Sequence, residues 1–129
     1  MNRIPVILGL LICGILLSAC RARQSSPEET IRYMTSAIRS EDTGRILKLI
    51  DPVRLEDPAL RIVVIGAIEQ RVQASIAHGG IARVEVLELK VFENTSYATV
   101  LLHYKDGSQG NGSESYKLVR RGIKWYVGV

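Results

Sequence analysis

Cysteine is scarce in this sequence of 129 residues, which contains two, Cys13 and Cys20. An even number of cysteines in an exported protein usually indicates a disulfide. Cys13, however, lies inside an uncharged apolar run near the start of the chain, which we expect to be removed as an export signal. Cys20 would then be the single thiol of the mature chain, so the sequence predicts no disulfide and a different role for Cys20.

Clustered positive charge is also absent. The formal net charge is +4, but the basic residues are scattered, and beyond the export signal only Arg120 and Arg121 are adjacent. Nucleic-acid binding requires a basic patch, so we predict no nucleic-acid partner. A solvated basic surface close to anionic lipid is the simpler interpretation.

Motifs for catalysis and for metal binding are missing as well. His78 and His103 have no Cys, His or Asp partner at ligand spacing, so we predict neither a metal ion nor another cofactor. The spacing places no nucleophile beside a base, and nominates neither Ser113 nor Ser115. Four glutamates near strand ends or on ambiguous strand faces are expected to be solvated: Glu85, Glu88, Glu93 and Glu114.

The N-terminal segment carries a specific signal. A short positive stretch, Met1 to Arg3, precedes an uncharged segment from Ile4 to Cys20, which closes with Leu17-Ser18-Ala19-Cys20. These residues resemble the lipobox of bacterial lipoproteins, a leucine and two small residues before an invariant cysteine. The resemblance implies a diacylglycerol on the Cys20 sulfur, cleavage after Ala19, and a membrane partner held through that lipid.

Two questions concern this segment: whether it is cleaved, and which membrane then holds the protein. An uncleaved membrane anchor would be at the lower limit of spanning length and would be weakened as a helix by Pro5, Gly9 and Gly14. In the sorting rule of enteric lipoproteins, an Asp after the cysteine retains the protein in the inner membrane. Arg21 stands there instead, which favours the periplasmic face of the outer membrane over the inner membrane.

The sequence therefore divides into a signal peptide, a short tether and one domain, at residues 1–19, 20–25 and 26–129. The tether reaches at most about 20 Å, so the domain would lie close to its membrane. A chain of about 100 residues can bury one core without disulfides, so the domain requires no covalent cross-link to fold.

Three helices are predicted at the start of the domain. The first opens with the capping box Ser26-Pro27-Glu28-Glu29 and runs to about Glu41. The second is capped by Asp42-Thr43 and stopped by Asp51-Pro52. The third runs from Asp57-Pro58 to about His78, before the Gly79-Gly80 exit. Its apolar stretch, interrupted by Gly66, predicts burial on several sides and a neighbouring backbone close to that glycine.

Four strands are predicted after Gly80, where the hydrophobic period changes to two. A change of phase predicts a β-bulge near Val86-Leu87. The second strand spans Tyr97 to Tyr104, with Ala98, Val100 and Leu102 on its apolar face, and a glycine-rich hairpin loop follows at residues 106–112. Tyr116 and Leu118 mark the third strand. The fourth carries Ile123, Trp125, Val127 and Val129 on one face, which we expect to pack against the third helix around Val64 to Ile68. The sequence thus predicts an α+β domain, with three N-terminal helices packed on a bent four-stranded antiparallel sheet.

This order of elements resembles the nuclear-transport-factor-2-like (NTF2-like, or cystatin-like) cone, and more narrowly an uncharacterised family of exported lipoproteins with that domain. The resemblance covers residues 26–129 and depends on the capping box, Gly79-Gly80-Ile81, Ala98-Thr99-Val100, Tyr104-Lys105-Asp106-Gly107 and Trp125. It implies a bent sheet wrapped around the long helix, with a pocket at the open end of the cone.

The candidate pocket residues are aromatic, with three on inward strand faces and one on the first helix: Tyr104, Tyr116, Trp125 and Tyr33. They could hold a small apolar ligand or could simply fill the core. We expect a non-enzymatic binding or interaction module of the cell envelope, with an envelope protein or a small apolar ligand as its partner. The alternatives are a cone-fold enzyme, which an inward carboxylate or histidine in the pocket would favour, and a structural subunit of an envelope assembly.

Overall fold

Four helices precede four strands in the structure, a computed structural model that describes residues 24–110 and 112–128. The expectations for the export signal, for Cys20 and for Val129 lie outside the described residues. The elements are α1 Pro27–Arg39, α2 Thr43–Leu49, α3 Pro52–Leu55, α4 Pro58–Ala77, β1 Ile81–Val91, β2 Thr95–Tyr104, β3 Glu114–Arg121 and β4 Lys124–Gly128.

The predicted helix caps are present. Ser26 Oγ accepts a hydrogen bond from the Glu29 amide at 3.2 Å, and Asp42 and Asp57 cap α2 and α4 in the same way. After α4, Gly79 has a φ of 79°, a left-handed conformation that favours glycine. The first helix ends at Arg39, two residues earlier than predicted.

The short helix α3 was not predicted. The Asp51-Pro52 pair was interpreted as a stop, but it also starts a helix, because the Asp51 carboxylate accepts from the Val53 amide at 3.3 Å. Proline at the first helical position needs no amide partner. The same pair therefore ends α2 and begins α3, so the domain has four helices where three were expected.

The sheet is antiparallel throughout, in the order β1-β2-β3-β4. The predicted bulge is confirmed: Val86 pairs with Val100 and Glu88 with Thr99, which leaves Leu87 without a partner in the register. Leu87 is consequently 49% exposed, whereas Leu89 returns to the inner face and packs on the core. The α+β architecture with an open, bent sheet is as predicted.

The core consists of two clusters. The larger one contains residues from the helices and from the sheet, among them Ile38, Ile46, Val64 and Val127. The smaller one contains Trp125, which is 5% exposed, with four partners: Ile31, Ala98, Val100 and Leu118. Trp125 was expected to pack on the third predicted helix around Val64 to Ile68. That expectation was wrong, because Trp125 packs with Ile31 of α1 in the smaller cluster, whereas Val64 and Ile68 belong to the larger one.

The long helix α4 is less buried than predicted. It presents one narrow stripe to the core, Val64, Ile68, Val72 and Ser75, while Ile62 and Val63 are 72% and 66% exposed. No heavy atom lies within 4 Å of the position that a Cβ on Gly66 would take. Burial on several sides and a backbone neighbour at Gly66 were therefore both wrong. None of the helices among the described residues is long and apolar enough to cross a bilayer.

The chain enters the domain beside β4. The Gln24 carbonyl accepts from the Trp125 amide at 2.8 Å, and Gln24 Nε2 donates to the Trp125 carbonyl at 3.0 Å. The Thr30 hydroxyl donates to the same carbonyl at 3.0 Å. Part of the predicted tether is thus bound to the domain, and it fixes where the preceding residues must leave it.

Candidate ligand cleft between the long helix and the sheet

A cleft separates α4 from the inner face of the sheet. It contains one cavity of about 310 Å³ that extends to Tyr104 and Glu114, and another of about 180 Å³ that extends to Tyr116 and Val127. Ala67 and Arg71 line both cavities, so the two cavities adjoin at Arg71, and we call them together the α4 cleft. Its larger cavity has the size at which small-molecule sites begin, about 300 Å³.

Arg71 makes the central polar contacts of the cleft. Its Nη1 donates to Glu114 Oε2 and to the Tyr116 hydroxyl at 2.7 Å. The Tyr116 hydroxyl in turn donates to Glu114 Oε2 at 2.9 Å, and the guanidinium carbon lies 5.1 Å from the centre of the Tyr116 ring. One cation, one carboxylate and one hydroxyl therefore satisfy one another within the cleft.

Burial and charge keep Tyr116 neutral and Arg71 charged. Burial raises the pKa of Tyr116, and Glu114 adds to the increase although Arg71 opposes it. Burial lowers the pKa of Arg71, but the neighbouring Tyr116 and Glu114 more than compensate, so that the pKa rises overall. At neutral pH the hydroxyl is a donor and the guanidinium is charged, so the cluster is electrically compensated.

Tyr104 lies at the other end of the larger cavity, against His78. The two rings are 4.7 Å apart between centroids and tilted by 30°. Burial raises the pKa of Tyr104, and Glu114 contributes in the same direction. The hydroxyl of Tyr104 therefore stays protonated and can donate to a ligand in this cavity.

A second polar cluster joins the end of α4 to the β2–β3 loop. His78 Nδ1 lies 2.7 Å from Asp106 Oδ2 and 3.0 Å from Ser108 Oγ. In a catalytic triad the two imidazole nitrogens serve different partners, whereas here both contacts involve Nδ1. The cluster therefore holds the loop against the helix and lacks the geometry of a proton relay. Within residues 24–110 and 112–128, no group of three or more His, Cys, Asp or Glu side chains could hold a metal ion.

The structure brings together two of the four predicted pocket residues. Tyr116 and Tyr104 line the α4 cleft. Trp125 lines neither of its cavities and lies in the smaller core cluster. Tyr33 is partly buried and packs against the larger core cluster, but it lines neither cavity of the cleft.

Arg71 and Glu114 were not predicted as site residues, although the spacing of each indicates an inward-facing side chain. Glu114 precedes Tyr116 and Leu118 at a spacing of two, which places all three on one strand face. Arg71 continues the helical spacing of Val64 and Ile68, the inward stripe of α4. Glu114 was expected to be solvated, and that expectation was wrong, because its carboxylate is half-buried and bonded to Arg71 and Tyr116.

The cone formed by the bent sheet and the helices is an NTF2-like fold. A crystal structure of a protein from Campylobacter jejuni, provisionally named an NTF2-like transpeptidase, superposes with a TM-score of 0.67 at 22% identity, covering 81% of this chain and 99% of that one. A solution structure of a SEC-C motif containing protein from Rhodopseudomonas palustris gives a TM-score of 0.56 at 20% identity, covering 91% and 85% of the two chains. No family model and no curated protein matches the sequence.

Proposed function

We propose that this chain is a lipid-anchored protein of the bacterial cell envelope whose NTF2-like domain binds a small, largely apolar ligand in the α4 cleft without transforming it. The observation that carries the proposal is the compensated cluster of Arg71, Glu114 and Tyr116, which lies between the mainly apolar smaller cavity and the more polar larger cavity of the cleft. A few oriented polar groups on apolar walls are typical of ligand sites.

The state of Glu114 supports binding rather than catalysis. A carboxylate that acts as a base in a cone needs apolar surroundings without a cation or a hydroxyl bonded to it. Glu114 Oε2 already accepts from both Arg71 and Tyr116. A ligand would meet the remaining oxygen of Glu114 and the Tyr104 hydroxyl, which suit recognition by hydrogen bonding.

A cone-fold enzyme is the second candidate, because Glu114 faces the cavity and the Campylobacter neighbour is named a transpeptidase. Acyl transfer requires a nucleophile activated by a base. Ser115 lines the smaller cavity, but neither histidine lines the cleft. A structural subunit would need a large apolar sheet face, whereas the outer face of the sheet places Tyr97 between Lys90 and Lys117.

Bound small molecules test the cleft directly. The full chain is purified from bacterial membranes, and compounds that remain bound are extracted and identified by mass spectrometry. Ala67→Trp should fill the cleft and remove the compound, whereas Ala59→Trp, on the same helix outside the cleft, should retain it. Identical extracts from both variants would contradict the assignment of the cleft. A compound that accumulates on Glu114→Gln but not on the natural chain would favour the enzyme.

The anchor is tested separately at Cys20. Cells given a labelled fatty acid should mark the natural chain and should not mark Cys20→Ser, which should also keep its signal segment. Fractionation should place the labelled protein in the outer membrane, as Arg21 suggests. Equal labelling of the Cys20→Ser variant would exclude lipidation at this cysteine.

A further inference from the structure

One end of the sheet collects two turns and the entry of the chain. The β1–β2 turn and the β3–β4 turn are neighbours, because the Arg120 amide donates to the Asn94 carbonyl at 2.8 Å. Gln24 is bonded to Trp125, two residues from the β3–β4 turn. We call this surface, residues 91–95 and 120–124, the tether end.

The tether end exposes apolar side chains at the tips of both turns. Ile123 is 82% exposed, Phe92 57% and Val91 54%. Of the large hydrophobic residues in the described part of the chain, Ile123 is the most exposed. Single exposed apolar residues are ordinary on protein surfaces, but here three lie on two adjacent turns, outside both core clusters.

Positive charge accompanies these side chains. Lys124 follows Ile123, and Arg120 lies on the same turn, where its Nε donates to the Gly122 carbonyl at 2.9 Å. Both side chains are exposed, and Arg21 and Arg23 precede Gln24 in the sequence. Arg121 is committed to Asp51, with Nη2 3.0 Å from Oδ2. Glu93 is the one acidic residue of the two turns, so the surface is both apolar at its tips and basic around them.

The length of the tether brings this surface to the lipid. Cys20 is four residues from Gln24, a span of at most about 14 Å. Ile123 lies two residues from Trp125, or about 7 Å along the strand. A lipid on Cys20 therefore holds the bilayer close to the tether end, and no other end of the sheet is as close to the tether.

We propose that the tether end docks onto the bilayer that holds the lipid anchor, with Phe92 and Ile123 inserted at the interface and Arg120 and Lys124 bound to the phosphates of anionic lipids. Apolar side chains surrounded by basic ones bind such interfaces. The proposal builds on the lipid anchor of the proposed function and adds a fixed orientation of the domain.

Tryptophan reporters test the docking. The full chain is purified from bacterial membranes and reconstituted into vesicles of phosphatidylethanolamine and phosphatidylglycerol, with or without brominated acyl chains. Phe92→Trp and Ile123→Trp should be quenched by the brominated lipids. Ile76→Trp is the matched control, since Ile76 is 45% exposed in the last turn of α4, at the opposite end of the sheet. Trp125 is buried and gives the same background in every variant.

Charge is tested with the Ile123→Trp reporter. Adding Lys124→Gln should lower the ratio of docked to undocked protein about fivefold, the contribution of one basic residue at an anionic surface. Lys105→Gln, in the β2–β3 loop, should leave the ratio unchanged. Equal effects of the two substitutions would overturn the role of Lys124.

The outcomes separate the docking from the anchor, because lipid on Cys20 is measured in the same preparation. With lipid present, equal quenching at positions 76, 92 and 123, or none at 92 and 123, overturns the docking and leaves the anchor intact. Absence of lipid on Cys20 overturns the anchor; quenching at 92 and 123 in that chain still supports the docking surface, and its absence overturns both proposals.

Discussion

Trp125 is the single tryptophan of the chain, and it is packed among Ile31, Ala98 and Leu118. Trp125→Ala should destabilise the domain by about 3–5 kcal/mol, a large part of the roughly 5–15 kcal/mol typical of a domain. Trp125→Phe should cost less, because it keeps much of the apolar volume. Denaturant unfolding followed by circular dichroism measures the difference.

Fluorescence gives an independent check on this assignment. Since the indole is 5% exposed, acrylamide should quench it weakly in the folded protein and strongly after unfolding. Free quenching of the folded protein, together with an unchanged stability of Trp125→Ala, would place this residue in an open pocket instead of the core.

The Tyr116 hydroxyl accepts a hydrogen bond from Arg71 and donates one to Glu114. Tyr116→Phe removes the hydrogen bonds to Arg71 and Glu114 while keeping the ring. Hydrogen bonds to charged groups contribute about 1.5–3 kcal/mol when buried, but Arg71 and Glu114 are partly exposed, so we expect a loss of about 1 kcal/mol. Chemical unfolding measures it, with Tyr97→Phe on the outer sheet face as the control. A loss as small as that of the control would show that the cluster adds little to stability.

Gly66 weakens α4 without a compensating contact. Its environment leaves open space for a Cβ, and glycine costs a helix roughly 1 kcal/mol relative to alanine. Gly66→Ala should therefore stabilise the domain and raise its melting temperature by about 4 °C or more. Gly79→Ala should do the opposite, because Gly79 has a φ of 79°. A lower melting temperature for Gly66→Ala would reveal a neighbour at this position.

Asp51 links two elements, since its buried carboxylate binds Arg121 of β3 from the start of α3. Burial raises the pKa of Asp51, but the bonds from Arg121 and the Val53 amide and the charge of Arg54 lower it below the ordinary value of 3.8 overall. A carboxyl whose pKa is lower in the folded state binds fewer protons there than in the unfolded state. Its contribution to stability is thus complete above pH 3.8 and is lost as the pH falls through the folded-state pKa.

Asp51→Asn should therefore flatten the acid side of the stability profile. The free energy of unfolding, measured by denaturant titration from pH 6 downwards, should fall less steeply below pH 3.8 in this variant than in the natural chain. Glu56→Gln, an exposed neighbour, should keep the natural profile. An unchanged slope in Asp51→Asn would mean that other carboxyls dominate the acid response.

Helices and strands with local signals were predictable from the sequence. Ser26, Asp42 and Asp57 mark their helices through side-chain oxygens that bind nearby amides, and the phase change at Val86 marks the bulge. Burial was harder to predict, because it depends on how elements meet. The apolar stretch of α4 indicated a helix enclosed on several sides, yet the core that α4 shares with the other helices covers only the stripe through Val64 and Ile68.

In the candidate site, likewise, the residues with a local signal were predictable and those that depend on packing were not. Tyr104 and Tyr116 were predicted because aromatic residues on an inward strand face stand out in the sequence. Arg71 and Glu114 were missed because each looks like an ordinary surface charge until its partner is known. Only the packing of α4 over β3 brings these two residues, 43 positions apart, to one point.

For the molecule as a whole, the four helices, the sheet and both core clusters are formed by residues that follow Gln24. A chain that begins at Gln24 should therefore be soluble and should unfold cooperatively on heating. Starting at Pro27 should lower the melting temperature, because it removes the Ser26 cap and the Gln24 bonds to Trp125. Aggregation or a gradual, uncooperative melt of the longer version would show that the domain needs its N-terminal segment.

With the proposed docking and the proposed ligand site, the attachment of Gln24 to Trp125 would also determine where a ligand meets the protein. β2 begins at the tether end and runs ten residues to Tyr104, about 30 Å at 3.3 Å per residue, and Tyr104 lines the larger cavity. If the tether end docks as proposed with β2 upright on the bilayer, this cavity would open well beyond the Debye length of about 8 Å at physiological ionic strength. The membrane's surface charge is screened at that height, so a ligand would arrive by diffusion through the aqueous compartment, and its affinity would not depend on the headgroups below.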